Sequence, residues 1–184
     1  MQPPPPTPPL LPPGVCLLPD NIFAYSLITK DDADLGAHTV TKGLAIGGAL
    51  QDSSPFAAGA ATVGGRSYVG SIRGTAQFNW MGGIRYGQGI PFSFMQLEEL
   101  ALSVVPLDNS VLLVDQGGHY SSTDEACDHP YRPPASAAAE DNGNTLIVFK
   151  GEGTICLASD HYGKQFGPSV LAPFARVVIH HRVG

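Results

Sequence analysis

An apolar residue stands before a pair of glycines three times between Gly43 and Gly89: Ile46-Gly47-Gly48, Val63-Gly64-Gly65 and Met81-Gly82-Gly83. The first glycines of successive pairs are 17 and 18 residues apart. Short alternating runs follow each pair, such as Arg66-Ser67-Tyr68-Val69 and Ile84-Arg85-Tyr86. A period just under twenty residues, strand-like between glycine turns, predicts a β-solenoid of roughly 18-residue coils. One coil cannot bury its apolar residues alone, so neighbours must stack, and glycine lets one corner lie close over the next. Hairpin turns in a β-sandwich are the other architecture that this spacing allows.

With 184 residues the chain can bury one sizeable core. Only 14% of it is charged, against 22 Gly and 17 Pro, so its surface must be made from neutral polar groups and turns. That balance favours an extracellular or cell-surface β protein. A formal net charge of −6 argues against nucleic acid as a partner, which calls for a basic stripe. No apolar run reaches the length of a membrane span. The first residues lack a basic start and are broken by proline, so a secretory signal is expected to have been removed or to lie in a longer precursor.

Residues 1–19 form a polyproline arm, reading Met-Gln-Pro-Pro-Pro-Pro-Thr-Pro-Pro at its start. Such a run adopts extended polyproline II, as a stiff spacer or a disordered linker. Pro3, Pro4, Pro5, Pro6, Pro8 and Pro9 are candidates for hydroxylation and Thr7 for O-glycosylation. No Asn-x-Ser/Thr sequon occurs. The apolar stretch Val15-Cys16-Leu17-Leu18 is the candidate subunit contact. Residues 20–184 then make one β domain, opening with a buried strand at Ile22–Ile28.

The tract from Pro91 to Pro106 reads as the one helix, about residues 93–105. Ser93 and Gln96 form a capping-box pattern, and Leu97, Leu100, Ala101, Val104 and Val105 fall on one stripe. The helix should bury that stripe along the side of the stacked strands. Further strands are expected at Ser110–Asp115, Thr145–Lys150, Gly153–Asp160 and Arg176–Arg182. Between two of them lies a long loop insertion, 116–144.

Three cysteines allow one disulfide and one thiol in an oxidising compartment. The sequence does not choose among the three pairings: Cys16 and Cys127, in turn-rich segments, are the favoured pair, and three unpaired cysteines are the alternative. Cys156 sits in the apolar run Thr154-Ile155-Cys156-Leu157, where a thiol packs as a small hydrophobe. Clustered aspartates at Asp31, Asp32 and Asp34 offer oxygen ligands for calcium without the spacing of a known loop, and a turn with one Asp capping backbone amides is the plainer reading. His119, Cys127, Asp128 and His129 match no zinc-ligand spacing. Neither a metal nor a cofactor is expected.

Several of these segments together resemble the choice-of-anchor A domain family of secreted and surface proteins. They are Asn21 to Leu27, Lys42-Gly43-Leu44-Ala45-Ile46-Gly47-Gly48, Pro91-Phe92-Ser93-Phe94 into Leu102-Ser103, Leu146-Ile147-Val148-Phe149, and Gly167-Pro168-Ser169-Val170-Leu171-Ala172-Pro173-Phe174-Ala175. The last is similar to that family's "Gly-Ser-x-Leu-Ala-Pro-x-Ala" signature. The resemblance implies a β-helical stack, distantly like the ice-binding solenoids, with a helix along one flank and a role in cell-surface attachment. It carries no catalytic residues. The family continues into a further "Glu-Gly" coil where this chain ends at Gly184, so one edge is expected to be uncovered. The arm is foreign to the core domain and resembles the hydroxyproline-rich arms of algal wall and flagellar-hair glycoproteins.

No Ser/His/Asp or Cys/His set, phosphate loop or pair of acids marks an enzyme. An ice-binding face needs threonines repeated coil after coil, and only Thr39 and Thr41 form such a unit. The expectation is therefore a non-enzymatic extracellular structural protein. Copies of it would assemble head-to-tail into a fibre or filament through the arm or an added strand. The alternative is a monomeric adhesion or glycan-binding module on a proline-rich stalk, with an exposed aromatic patch near Tyr68, Trp80 or Tyr86.

Overall fold

The computed structural model describes residues 22–35, 40–51, 61–73, 78–86, 98, 101, 111–114, 120–131, 145–158 and 168–180. Within them the chain is mainly β, with strands β1 (Tyr25–Thr29), β2 (Ala33–Asp34), β3 (Gly43–Gln51), β4 (Ala61–Val63), β5 (Ser67–Ile72), β6 (Phe78–Trp80) and β7 (Ile84–Tyr86) in the first half. The second half holds β8 (Val111–Val114), a short helix α1 (Thr123–Asp128), β9 (Leu146–Phe149), β10 (Gly153–Ala158), β11 (Ser169–Leu171) and β12 (Ala175–His180). Ile22–Ala24, read from sequence as strand, is instead a 3-10 turn that leads into β1.

Every strand pair among the described residues is parallel. Ten strands form one curled sheet in the order β10-β12-β2-β3-β1-β11-β9-β8, with β5 and β7 continuing from β3, while β4 and β6 pair separately. The curl originates in β3. Its first half lies beside β1 and its second half beside β2, and the register slips between Ile46 and Ala49. Two residues there, Gly47 and Gly48, oppose the single Gly70 of β5, a bulge that turns the row around a corner. A side chain at Gly70 would strike the carbonyl oxygens of both glycines.

The glycine pairs do not all mark one corner. Val63 is in register with Trp80, which stacks the second and third pairs, and a side chain at Gly82 would run into Gly65 and Arg66. The first pair belongs to the β3–β5 corner instead. Ala45 pairs with Tyr68, a step of 23 residues, whereas Ser67 pairs with Ile84, a step of 17. The even spacing in the sequence thus joins two different corners, and the true repeat is unequal.

Side chains alternate across the rows, as parallel strands require. Leu27, Leu44, Ile46, Leu50, Val69, Ile147, Ile155, Val170 and Val177 meet inside the curl in one large buried cluster. Ile28, Ala45, Leu146, Val148 and Leu171 point the other way and are buried against Ala101, with Ile22 and Tyr25 beside them. This covering on both faces explains why all five residues of β1 and all four of β9 are buried. Glu98 and Ala101 are helical, and Glu98 is ion-paired to Lys30 at 2.9 Å. The rest of the helix expected at 93–105 lies outside the described residues.

Sequence neighbours are not always sheet neighbours. The C-terminal strands β11 and β12 lie beside β1 and β2, so the ends of the sheet fall at β7 on one side and at β8 and β10 on the other. Six strand spacings separate β7 from β8, about 29 Å at the usual inter-strand distance.

Ile46 is fully buried in the inner cluster. Replacing it by alanine should cost about 2–5 kcal/mol in urea unfolding. Met81→Ala, at a residue 69% exposed, should change stability by no more than about 0.5 kcal/mol. Equal losses in the two variants would contradict the assigned core.

Candidate functional site

The chemistry-bearing side chains of this fold sit mostly at its corners, where they hold rows together. Asp32 accepts a hydrogen bond from the Ala49 amide at 2.7 Å, and its other oxygen is ion-paired to Arg73 at 2.8 Å. Asp31 accepts from the Asp32 amide through its side chain and from the Gly48 amide through its carbonyl. Asp34 is buried and accepts from the Gln51 side chain. Asp31 and Asp32 thus both cap backbone amides at this turn, where the plainer sequence reading had one, while Asp34 is buried in β2 and not part of a solvated turn.

A second corner carries a column of buried serines. Ser67 accepts from the Leu44 amide, Ser26 accepts from the Lys42 amide, and the Lys42 amine donates to Ser169 at 3.1 Å. Burial lowers the pKa of that amine. Ser169 is fully buried, so this lysine–serine contact joins rows and offers no accessible nucleophile. An open cleft of about 540 Å³ at a third place is lined by Lys30, Asp31, Glu152, Gly153, Pro173 and Phe174. Its polar groups are the Lys30 amine, which is ion-paired to Glu98, and the carboxylates of Asp31 and Glu152.

The cysteines correct the sequence reading. Cys127 is bonded to Cys156, with Cα atoms 5.1 Å apart, and not to Cys16. Cys156 is buried as expected, but it is not the leftover thiol. Its side chain lies on the outer side of β10 beside Val178, where α1 covers both through Ala126. Ser122 caps α1 by accepting from the Glu125 amide. The Ser122-Thr123-Asp124-Glu125 pattern was the sequence signal for this helix inside the long loop. Cys16, like Val15, Leu17, Leu18, Thr7 and Pro3, Pro4, Pro5, Pro6, Pro8 and Pro9, lies outside the described residues.

Segment 120–131 acts as a strap. The Thr154 amide donates to the Tyr120 carbonyl and the Tyr131 amide to the Cys156 carbonyl, so the strap binds the exposed side of β10 at two points. The Tyr120 and His129 rings stack at 5.7 Å, and Tyr131 meets Phe149 edge-on at 5.0 Å. With Cys127 in a disulfide, the loop's candidate zinc ligands lose their thiolate. His119 lies outside the described residues.

At the opposite end, β6 and β7 are bonded on one side only among the described residues. Phe78 and Trp80, with ring centroids 5.4 Å apart, and Ile84 pack against the inner cluster but remain partly exposed. Met81 is the one exposed large apolar side chain among the described residues. Arg85 lies 5.9 Å over the ring of Tyr68 on the outer face. Trp80 therefore serves the core rather than an exposed aromatic groove, and the side chain of Tyr86 lies outside the description.

No family model, curated protein or solved structure matches the chain.

Peptide mapping without reductant should recover Cys127 joined to Cys156. Cys127→Ala should lower stability by about 2–4 kcal/mol in chemical unfolding, since the bond closes a loop of 29 residues. A Cys16–Cys127 peptide would refute the assignment.

Alkaline titration gives a separate check. Burial raises the pKa of the Tyr25 hydroxyl, with Tyr68 adding to it and Arg66 opposing, and burial alone raises that of Tyr131. The unfolded tyrosines ionise first, near the ordinary 10.0, so this contribution to stability is whole below that pH and lost above it. Lys42 acts in the opposite sense, because its folded amine gives up its proton before the unfolded one does. Melting temperatures from about pH 9 to about pH 11 should fall less steeply in Tyr25→Phe/Tyr131→Phe than in the parent. An unchanged slope would show that these hydroxyls are not shielded.

Proposed function

We propose that this protein is a non-enzymatic structural subunit of an extracellular fibre, built as a β-solenoid behind a polyproline arm. The observation that carries the reading is the sheet itself. Its rows are all parallel, and among the described residues β7 and β8 are each bonded on one side only. An open edge is a template for another strand. Because all rows run the same way, a second copy placed on either end can continue the ladder without closing it, and such heterologous contacts propagate.

The solenoid assignment rests on three sets of parallel rows that succeed one another around the chain. They are β1-β3-β5-β7, β2-β3-β5 around the next corner, and Val40-β4-β6 after that. Low charge, abundant glycine and proline, and a disulfide all suit a secreted protein. The resemblance to choice-of-anchor A domains agrees with this reading.

The strand after the arm is not available for exchange. β1 is built into its own sheet between β3 and β11. That leaves the arm, with Val15, Cys16, Leu17 and Leu18, and the two open ends as the joints. The stalked glycan-binding reading called for an exposed aromatic patch near Tyr68, Trp80 or Tyr86; Trp80 packs against the inner cluster and Tyr68 against the outer one, both partly buried.

Negative-stain imaging of residues 1–184 beside residues 20–184 tests this proposal. Filaments in the full chain, shortened or lost on truncation, are the expected result. Dispersed particles in both samples would reject the fibre reading.

A further inference from the structure

The two ends of the sheet differ in charge. From Ser53 to Leu97 there is no acidic residue at all, and the only charged side chains are Arg66, Arg73 and Arg85. Arg73 is committed to Asp32, but Arg66 and Arg85 have no acidic partner among the described residues. Both are exposed at the β5–β7 end. At the β8–β10 end the strap carries Asp124, Glu125 and Asp128, all exposed, and no Lys or Arg between Tyr120 and Tyr131. Glu125 is occupied locally by Ser121, whereas Asp124 and Asp128 have no basic partner among the described residues.

The β7 end also has the composition of an interface centre. Met81 is exposed, Trp80 and Ile84 in the adjoining strands are only partly covered by the inner cluster, and Arg66 and Arg85 are exposed in the same rows. An apolar centre with a charged rim is the usual arrangement of a protein contact. β8 at the other end is an apolar run, Val111-Leu112-Leu113-Val114.

We infer that the β7 end of one copy docks on the β8–β10 end of the next, with Arg66 and Arg85 set against the acidic strap. The inference rests on the fibre reading and adds its polarity and its partner surface, a second copy of this chain. Opposite charge at the two ends makes like ends repel, so head-to-head and tail-to-tail dimers are disfavoured while the propagating contact is favoured. The strap serves this arrangement in two ways. It blocks the β10 edge with its own hydrogen bonds, which directs strand addition to β8, and it carries the charge that selects the partner.

The test uses two full-length variants, Arg66→Glu/Arg85→Glu and Asp124→Lys/Asp128→Lys, in sedimentation velocity at low salt. The parent should form a concentration-dependent series of oligomers that shrinks as salt is raised. Each variant alone should associate about tenfold more weakly, because its two ends then carry like charge. Mixed in equal amounts they should assemble again, since each end meets an opposite one, and this recovery excludes misfolding as the cause of the loss. Parent filaments that persist unchanged in both variants would overturn the inference and leave the fibre reading standing. A mixture that stays dispersed while the parent assembles would overturn it too. A parent that stays monomeric at every salt would overturn both readings. If that monomer were retained on a column of an acidic polysaccharide through Arg66 and Arg85, the surface would belong to a glycan.

Discussion

A parallel β-strand is never sufficient to itself. Its amides need a neighbour on each side, and its alternate side chains need cover on each face. The rest of this molecule follows from meeting those demands. The inward residues of the rows fill one another's space, from Ile147 and Val170 through Leu27 to Leu44. The outward ones require a second layer, which Ala101 supplies over β1, β9 and β11 and α1 supplies over β10 and β12. Along the outer column burial falls row by row: Ile28 and Ala45 are buried, Tyr68 is half-exposed and Arg85 is exposed.

The corners are the other half of the problem. A tight corner leaves backbone amides pointing away from the ladder, and this chain satisfies them with short side chains. Asp32, Ser26 and Ser67 each accept from an amide of the next row. Such bonds to a charged acceptor are stronger than those to a hydroxyl, and Asp32 is also held by Arg73. Among the described residues, polar side chains therefore accumulate at the turns, where they hold one row to the next.

Much of this was legible in the sequence, for local reasons. The apolar runs that became β8, β9, β10 and β12 are continuous and β-branched, as buried parallel strands are, and their limits agree with the structure to within about two residues. The glycine pairs correctly announced close-packed corners. Their spacing misled, because Gly47-Gly48 and Gly64-Gly65 lie at different corners and the steps between rows are unequal, 23 residues from Ala45 to Tyr68 and 17 from Ser67 to Ile84. Cysteine pairing was not legible at all: it depends on which outward residue of β10 lies under α1, and no one-dimensional pattern carries that. The charge difference between the ends was present in plain view, in the 45 acid-free residues from Ser53 to Leu97, but it had no meaning until the order of strands was known.

That order has a consequence for how the chain is made. Leu27 pairs with Val170 and Ala33 with Val177, so the middle of the sheet is closed by its last-synthesised strands. While the polypeptide emerges, β1 and β2 can take up partners on the β3 side long before β11 and β12 exist. The nascent N-terminal half thus carries an unfilled seam until β11 and β12 are made, and joining it means bringing together residues about 143 positions apart. Pairings of such long sequence separation carry the largest loop-closure cost in this sheet, and they lie at its middle rather than at its ends.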